Sequence, residues 1–124
     1  MSPDIQKFFE SYRDAFNALD SEEIARLYFV PSGIVTNEGY SHWESYACIQ
    51  DNMESLCNKY RENGYLEASF ETLALMEQSA KFVVADLKWN IKLKEDATWS
   101  FRTAYNLIKT REAWQVLLVT AYEE

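Results

Sequence analysis

Three glycines, two prolines, two cysteines and a single histidine are all that 124 residues contain of these types. The scarcity of glycine and proline leaves little material for linkers, so residues 1–124 are expected to form one domain around one core. His42 is the only histidine, and the two cysteines, Cys48 and Cys57, fall in one predicted helix. Nine helical residues set them roughly 13 Å apart, too far for a mutual disulfide. Reduced thiols are the expectation, and with no partner set for a metal ion, neither a metal nor a cofactor is expected. Basic residues are also few: twelve against twenty acidic ones give a formal charge of −8. That balance repels phosphate backbones, and no local basic patch offsets it, so nucleic acid is excluded as a partner. No apolar run approaches the length of a membrane span. The start, Met1-Ser2-Pro3-Asp4, lacks the basic residues and apolar core of a secretion signal, so a cytoplasmic location is expected.

What the chain does contain is apolar and aromatic mass, 48% and 15% of residues, which argues for a well-packed core. Over residues 4–19, Ile5, Phe8, Phe9, Tyr12, Phe16 and Leu19 recur at steps of three and four, the period of a helix. Asp20 with Glu23 makes a capping box for a second helix carrying Ile24, Leu27 and Tyr28, and Pro31 ends it. Residues 33–36 read as a short strand. Ser41 and Glu44 form another capping box ahead of a long helix with Tyr46, Ile49, Met53, Leu56 and Tyr60 along one side. Asn63-Gly64 supplies its stop.

Four strands are predicted next, at about 65–77, 80–94, 97–110 and 113–123. Glu95-Asp96 and Arg111-Glu112 read as two-residue hairpin loops, without the favoured Asn-Gly chemistry. Those loops fix which side chains share a face. One face would carry Trp89 and Leu87, then Arg102, Ala104 and Asn106, then Gln115, Leu117 and Val119. The other would carry Trp99, Phe101, Tyr105, Trp114 and Leu118, with Asp86 opposite Tyr105. Helices can cover only one face. The apolar outer face therefore predicts a homodimer through Trp99, Phe101, Tyr105, Trp114 and Leu118.

Three amphipathic helices, a short strand and a long antiparallel meander resemble the cone-shaped α+β fold of the nuclear transport factor 2 (NTF2)-like superfamily, which includes SnoaL-like proteins and ketosteroid isomerases. The resemblance covers nearly the whole chain. It is carried best by Tyr12 to Val35, with Asn17-Ala18-Leu19-Asp20 between the helices, and by the closing Trp114-Gln115-Val116-Leu117-Leu118. It implies three N-terminal helices packed on a curved, mainly antiparallel sheet with a pocket between, and it places the Arg102, Asn106 and Leu117 face inward. It also implies a hydrogen-bond donor at Tyr12. The isomerases' general base falls at Thr36 and their protonated aspartic acid at Ala104, neither of which is acidic. Two of three catalytic parts are thus absent, no catalytic residue is assigned, and the reading leans against an enzyme. A shift of the alignment by a residue or two would bring Glu38 toward the base position.

Within that frame Tyr12, Trp89, Arg102, Asn106 and Trp43 are the candidate ligand-binding residues. Arg102, projecting from an aliphatic inner face, would clamp an anion with its fork of donors, or else pair with a helix carboxylate. Trp89, opposite it across the hairpin, would stack on the guanidinium or on a flat ligand. Tyr12 would bring a hydroxyl to the pocket. Asn106 lies on the same face, and Trp43 near the pocket mouth. The leading expectation is a homodimeric domain binding a small apolar or acidic molecule. A SnoaL-like isomerase, cyclase or lyase and a structural protein-interaction module are the alternatives.

Overall fold

The computed structural model describes residues 2–111 and 113–122. The first helix, α1 (Pro3–Asn17), starts at a Ser2 cap with proline in its first turn and buries Ile5, Phe8, Phe9 and Tyr12. The second, α2 (Ser21–Arg26), opens as expected on Asp20, whose carboxylate accepts from the Glu23 amide at 3.2 Å. Strand β1 (Ser32–Thr36) is followed by a strand the sequence reading did not contain, β2 (Gly39–Trp43), paired antiparallel across the Asn37-Glu38 turn. The Ser41–Glu44 pattern is therefore no capping box. The long helix α3 (Tyr46–Glu62) begins two residues past β2, where Ser45 accepts from the Cys48 amide at 3.2 Å. Its buried stripe is Ile49, Met53, Cys57 and Tyr60. Both cysteines are free thiols, Cys48 exposed and Cys57 buried.

The meander consists of β3 (Tyr65–Glu77), β4 (Phe82–Leu93), β5 (Thr98–Thr110) and β6 (Ala113–Tyr122). The sheet runs in the order β2-β1-β6-β5-β4-β3, curved and open, with β1 parallel to β6 and every other pair antiparallel. This is the α+β architecture expected, with the helices on the concave side. There Phe9 packs its ring 5.2 Å from Tyr105 and 6.1 Å from Phe70. Strand β3 is an edge, pairing only with β4. Its free side is met at one point by Asn17: the side-chain oxygen accepts from the Ala68 amide at 2.7 Å, and its amide nitrogen donates to the Ala68 carbonyl at 3.4 Å. The Tyr65 hydroxyl donates to the same oxygen at 2.5 Å and holds the amide in place.

The β4–β5 turn decides the faces, and it corrects the sequence reading. Leu93 bonds to Ala97 around a three-residue loop, with Glu95 and Asp96 both in the left-handed region at φ 63° and 59°. One residue more than expected slips the register by one, and a one-residue slip turns every side chain of a strand over. Trp89 therefore faces Phe101, Ala85 faces Tyr105, and Arg102 pairs with Lys88 on the opposite side. Trp99, Phe101 and Tyr105 lie on the concave face, and Tyr105 is buried. They are not available to the outer-face dimer that the sequence suggested. Trp114 packs against the core, and Leu118 alone of that set is on the convex side. The β5–β6 pairing closes from Thr110 to Ala113, as expected, although Glu112 of that turn lies outside the described residues. A bulge between the Leu107–Val116 and Asn106–Leu118 pairs then returns Val119 and Ala121 to the concave face.

Candidate functional site

Between the concave face, α1 and α3 lies a cavity of about 580 Å³, inside the range of roughly 300–1,000 Å³ usual for small-molecule sites. Its floor is aromatic. Tyr12 comes from the buried stripe of α1, Tyr28 from the segment after α2, Trp43 from the end of β2, Trp89 from β4 and Tyr105 from β5. All five are buried. The walls are Ile34, Met53, Leu56 and Val119, with the small Ala68 and Ala121 leaving room beside them. At the exposed rim stand Asn37 and Glu38 of the β1–β2 turn, Asn52 and Lys59 of α3, and Trp99. Trp99 packs tilted against Phe101 at 4.7 Å and meets Tyr60 edge-on at 6.0 Å.

Polar groups converge on the floor. The Tyr12 and Tyr28 hydroxyls share a hydrogen bond at 2.6 Å. The Trp89 indole donates to the Tyr105 hydroxyl at 3.0 Å. The Tyr12 ring meets Tyr105 edge-on at 5.4 Å and lies 5.9 Å from Trp89. Burial pushes the phenols of Tyr12, Tyr28 and Tyr105 well above their ordinary value, and for Tyr12 the neighbouring Tyr105 and Tyr28 add to the rise. These hydroxyls therefore stay protonated throughout the physiological range and act as neutral donors. Glu38 and Lys59 are the charged residues among the described lining, both at the rim. Among the described residues no cluster of histidine, cysteine or carboxylates could hold a metal ion.

Three of the five residues singled out from sequence line this cavity: Tyr12, Trp89 and Trp43. Two do not, and the register slip is the reason. Arg102 lies on the convex face, where it pairs with Asp86 at 2.5 Å and sits over the Tyr122 ring at 5.3 Å. Tyr122 also donates to Asp86 at 3.3 Å. The guanidinium is a structural ion pair across the sheet, and the anion-clamp reading is withdrawn. Asn106, between Val84 and Leu118, shares that convex face. Ala104, the position aligned with the isomerases' acidic donor, likewise faces away from the cavity beside Asp86. Tyr105, one residue on, is the inward donor that the sequence reading missed, together with Tyr28 and Thr103. Trp43 and His42 belong to β2, not to a helix start. His42 is exposed there and bonds Tyr40 at 2.8 Å.

The sequence profile of the NTF2-like protein family DUF6841 matches residues 3–124. No curated protein matches the chain. Among solved structures, an NTF2-like protein of unknown function from Shewanella oneidensis is similar at 14% identity, with 97% of each chain covered and a TM-score of 0.79. A domain of unknown function with a cystatin-like fold from Nostoc punctiforme is similar at 17% identity over 100% of this chain and 79% of that one, TM-score 0.80. A ketosteroid isomerase-like protein from Erwinia carotovora is similar at 13% identity over 96% and 92%, TM-score 0.69. Likeness at these identities concerns the fold.

Proposed function

The chain belongs to the NTF2-like family, and we propose that its concave cavity binds a neutral, flat and largely apolar small molecule bearing a hydrogen-bond acceptor. The observation that carries this reading is the floor: buried phenols held protonated among aromatic rings, with charge confined to the rim. An acidic ligand would be desolvated there without a cation to meet it, so the ligand's polar group is an uncharged carbonyl or hydroxyl. Catalysis would need a base, and Thr36 is none. Glu38, on the rim, is the carboxylate on which an isomerase reading would rest. Thermal-shift and fluorescence titration with a neutral naphthyl ketone and with the matching naphthoate tests the proposal. The ketone is expected to bind and stabilise. Preferential binding of the naphthoate, or binding of neither, overturns it.

Self-association is a separate reading, supported by one end of the convex face. There Met76 of β3 and Val84 of β4 pair beside Phe82 and Ile108, with Leu118 of β6 beyond Asn106, and Met76 is 60% and Phe82 47% exposed. We propose this patch, in place of the aromatic face expected from sequence, as the contact between two copies. Sedimentation of wild type beside Phe82→Glu tests it. A monomeric mass for the wild type at tens of micromolar would exclude it.

A further inference from the structure

Resting on that ligand-binding reading, we infer that Thr103 is the residue that recognises the ligand's polar group. Thr103 sits on β5 halfway along the cavity, between Phe101 toward the rim and Tyr105 on the floor. The residue is 3% exposed, yet its Oγ1 has no hydrogen-bond partner among the described residues. The hydroxyl is near enough to Tyr105 to ease that phenol's ionisation, without forming an aligned bond.

A threonine hydroxyl has a rotating proton and two lone pairs, and burying one without a partner is costly. A buried hydroxyl can resolve this by bonding a backbone group or an ordered water. Here the backbone of β5 is engaged on both sides, with Thr103 paired to Leu87 of β4 and Ala121 of β6. Ser32 Oγ and Trp114 Nε1 are also buried without a hydrogen-bond partner among the described residues, but neither residue lines the cavity. Thr103 does. Ala121 next to it carries only a methyl group, which leaves space at that point of the wall. The Tyr105 oxygen already accepts from Trp89, so its proton and the Thr103 hydroxyl are the groups on this strand available to an incoming acceptor. The ligand class that fits is a planar carbonyl compound whose apolar body lies against Phe101 and Trp99 and whose oxygen reaches Thr103.

The test uses two fluorescent probes on the full chain: propionyl(dimethylamino)naphthalene, a neutral ketone, and its propyl analogue, in which a methylene replaces the carbonyl. Thr103→Val keeps the shape and removes the hydroxyl; Thr103→Ser keeps the hydroxyl; Thr103→Ala serves should the valine variant not fold by circular dichroism. The expected result is that Thr103→Val weakens ketone binding about 5–10-fold, the loss of one hydrogen bond. Its bound emission shifts to the blue, propyl-analogue affinity is unchanged, and Thr103→Ser behaves as wild type. Equal affinity of wild type and valine variant for the ketone overturns the assignment, as does a parallel loss for both probes, which marks a role in shape alone. If neither probe binds the wild type, the cavity reading itself fails and takes this inference with it. Binding of both probes with no effect at Thr103 leaves that reading standing.

Discussion

The two faces of the same sheet solve opposite problems. The concave face gathers Trp89, Phe101 and Tyr105 beneath the helices and turns their polar ends toward a cavity. The convex face is covered by no helix among the described residues. It mixes an apolar end, at Met76, Phe82 and Val84, with a polar end built on Asp86, Arg102 and Tyr122. The difference shows that aromatic content alone does not mark an interface. Aromatic residues on β5 meet a pocket, and the charged residues between them meet each other across strands on the outside.

That contrast can be broken most directly by placing a charge on each side. Ala85 is fully buried on the concave face opposite Tyr105. Ala85→Asp is expected to unfold the chain or cost more than about 4 kcal/mol, through an unpaired buried charge. Ala104→Lys, one strand over on the convex face and beside Asp86, is expected to stay within about 1 kcal/mol of wild type in urea unfolding. Similar losses for both would mean the faces are not distinguished as described.

Alkaline titration gives the next largest effect. The folded-state values of Tyr12, Tyr28, Tyr60 and Tyr105 are all raised, chiefly by burial. Tyr65 is pushed up to about 12 by the same cause. In the unfolded chain these phenols ionise near pH 10, while in the fold they do not. Their contribution is thus fully present below about pH 10 and is lost as pH rises toward the folded values, by up to about 1.4 kcal/mol per pH unit for each group. Urea midpoints measured from pH 8 to 11.5 should be flat at first and then fall. Tyrosine absorbance that titrates fully near pH 10 in the folded protein would show the floor is open to water.

Smaller effects sharpen the assignment of roles. Tyr105→Phe leaves the Trp89 indole without its acceptor and is expected to cost about 1–3 kcal/mol, with weaker binding of the naphthyl ketone. Arg102→Met strands the half-buried Asp86, which keeps Tyr122 as a donor, and is expected to cost about 1–2 kcal/mol with no change in ketone binding. Loss of binding in Arg102→Met would return that residue to the site.

Much of the fold was legible because it rests on periodicity. The apolar steps along α1 and α3 and the Asp20 cap of α2 are local signals, and the structure follows them. The β2 strand was hidden because Ser41 and Glu44 imitate a capping box whose cap lies four residues before the true one at Ser45. The cavity was half legible for a subtler reason. Tyr12, Trp89 and Trp43 could be named because helix spacing or strand order places them. Tyr105 and Thr103 could not, because their face depends on the length of the β4–β5 loop. No glycine marks the left-handed positions at Glu95 and Asp96, so nothing local distinguishes a two-residue from a three-residue loop. One uncounted residue exchanged Arg102 and Asn106 for Thr103 and Tyr105.

The bond between Asn17 and Ala68 has a consequence for how the protein behaves in crowded solution. A long strand with one unpaired side is a template for other chains, and β3 adds exposed Leu66, Leu73 and Met76 to that hazard. Asn17 occupies the donor and acceptor of Ala68 as a neighbouring strand would, so an invading chain meets a break in the row of backbone groups it must pair with. Glu67, Glu71 and Glu77 on the same strand add charge to the guard. Near the isoelectric region, about pH 4.7, net repulsion between molecules vanishes and protection of this edge falls to the amide plug and the strand's own charges. Asn17→Ala is expected to precipitate there as β-rich aggregate at concentrations where the wild type stays clear, a difference that turbidity and thioflavin fluorescence would read out directly.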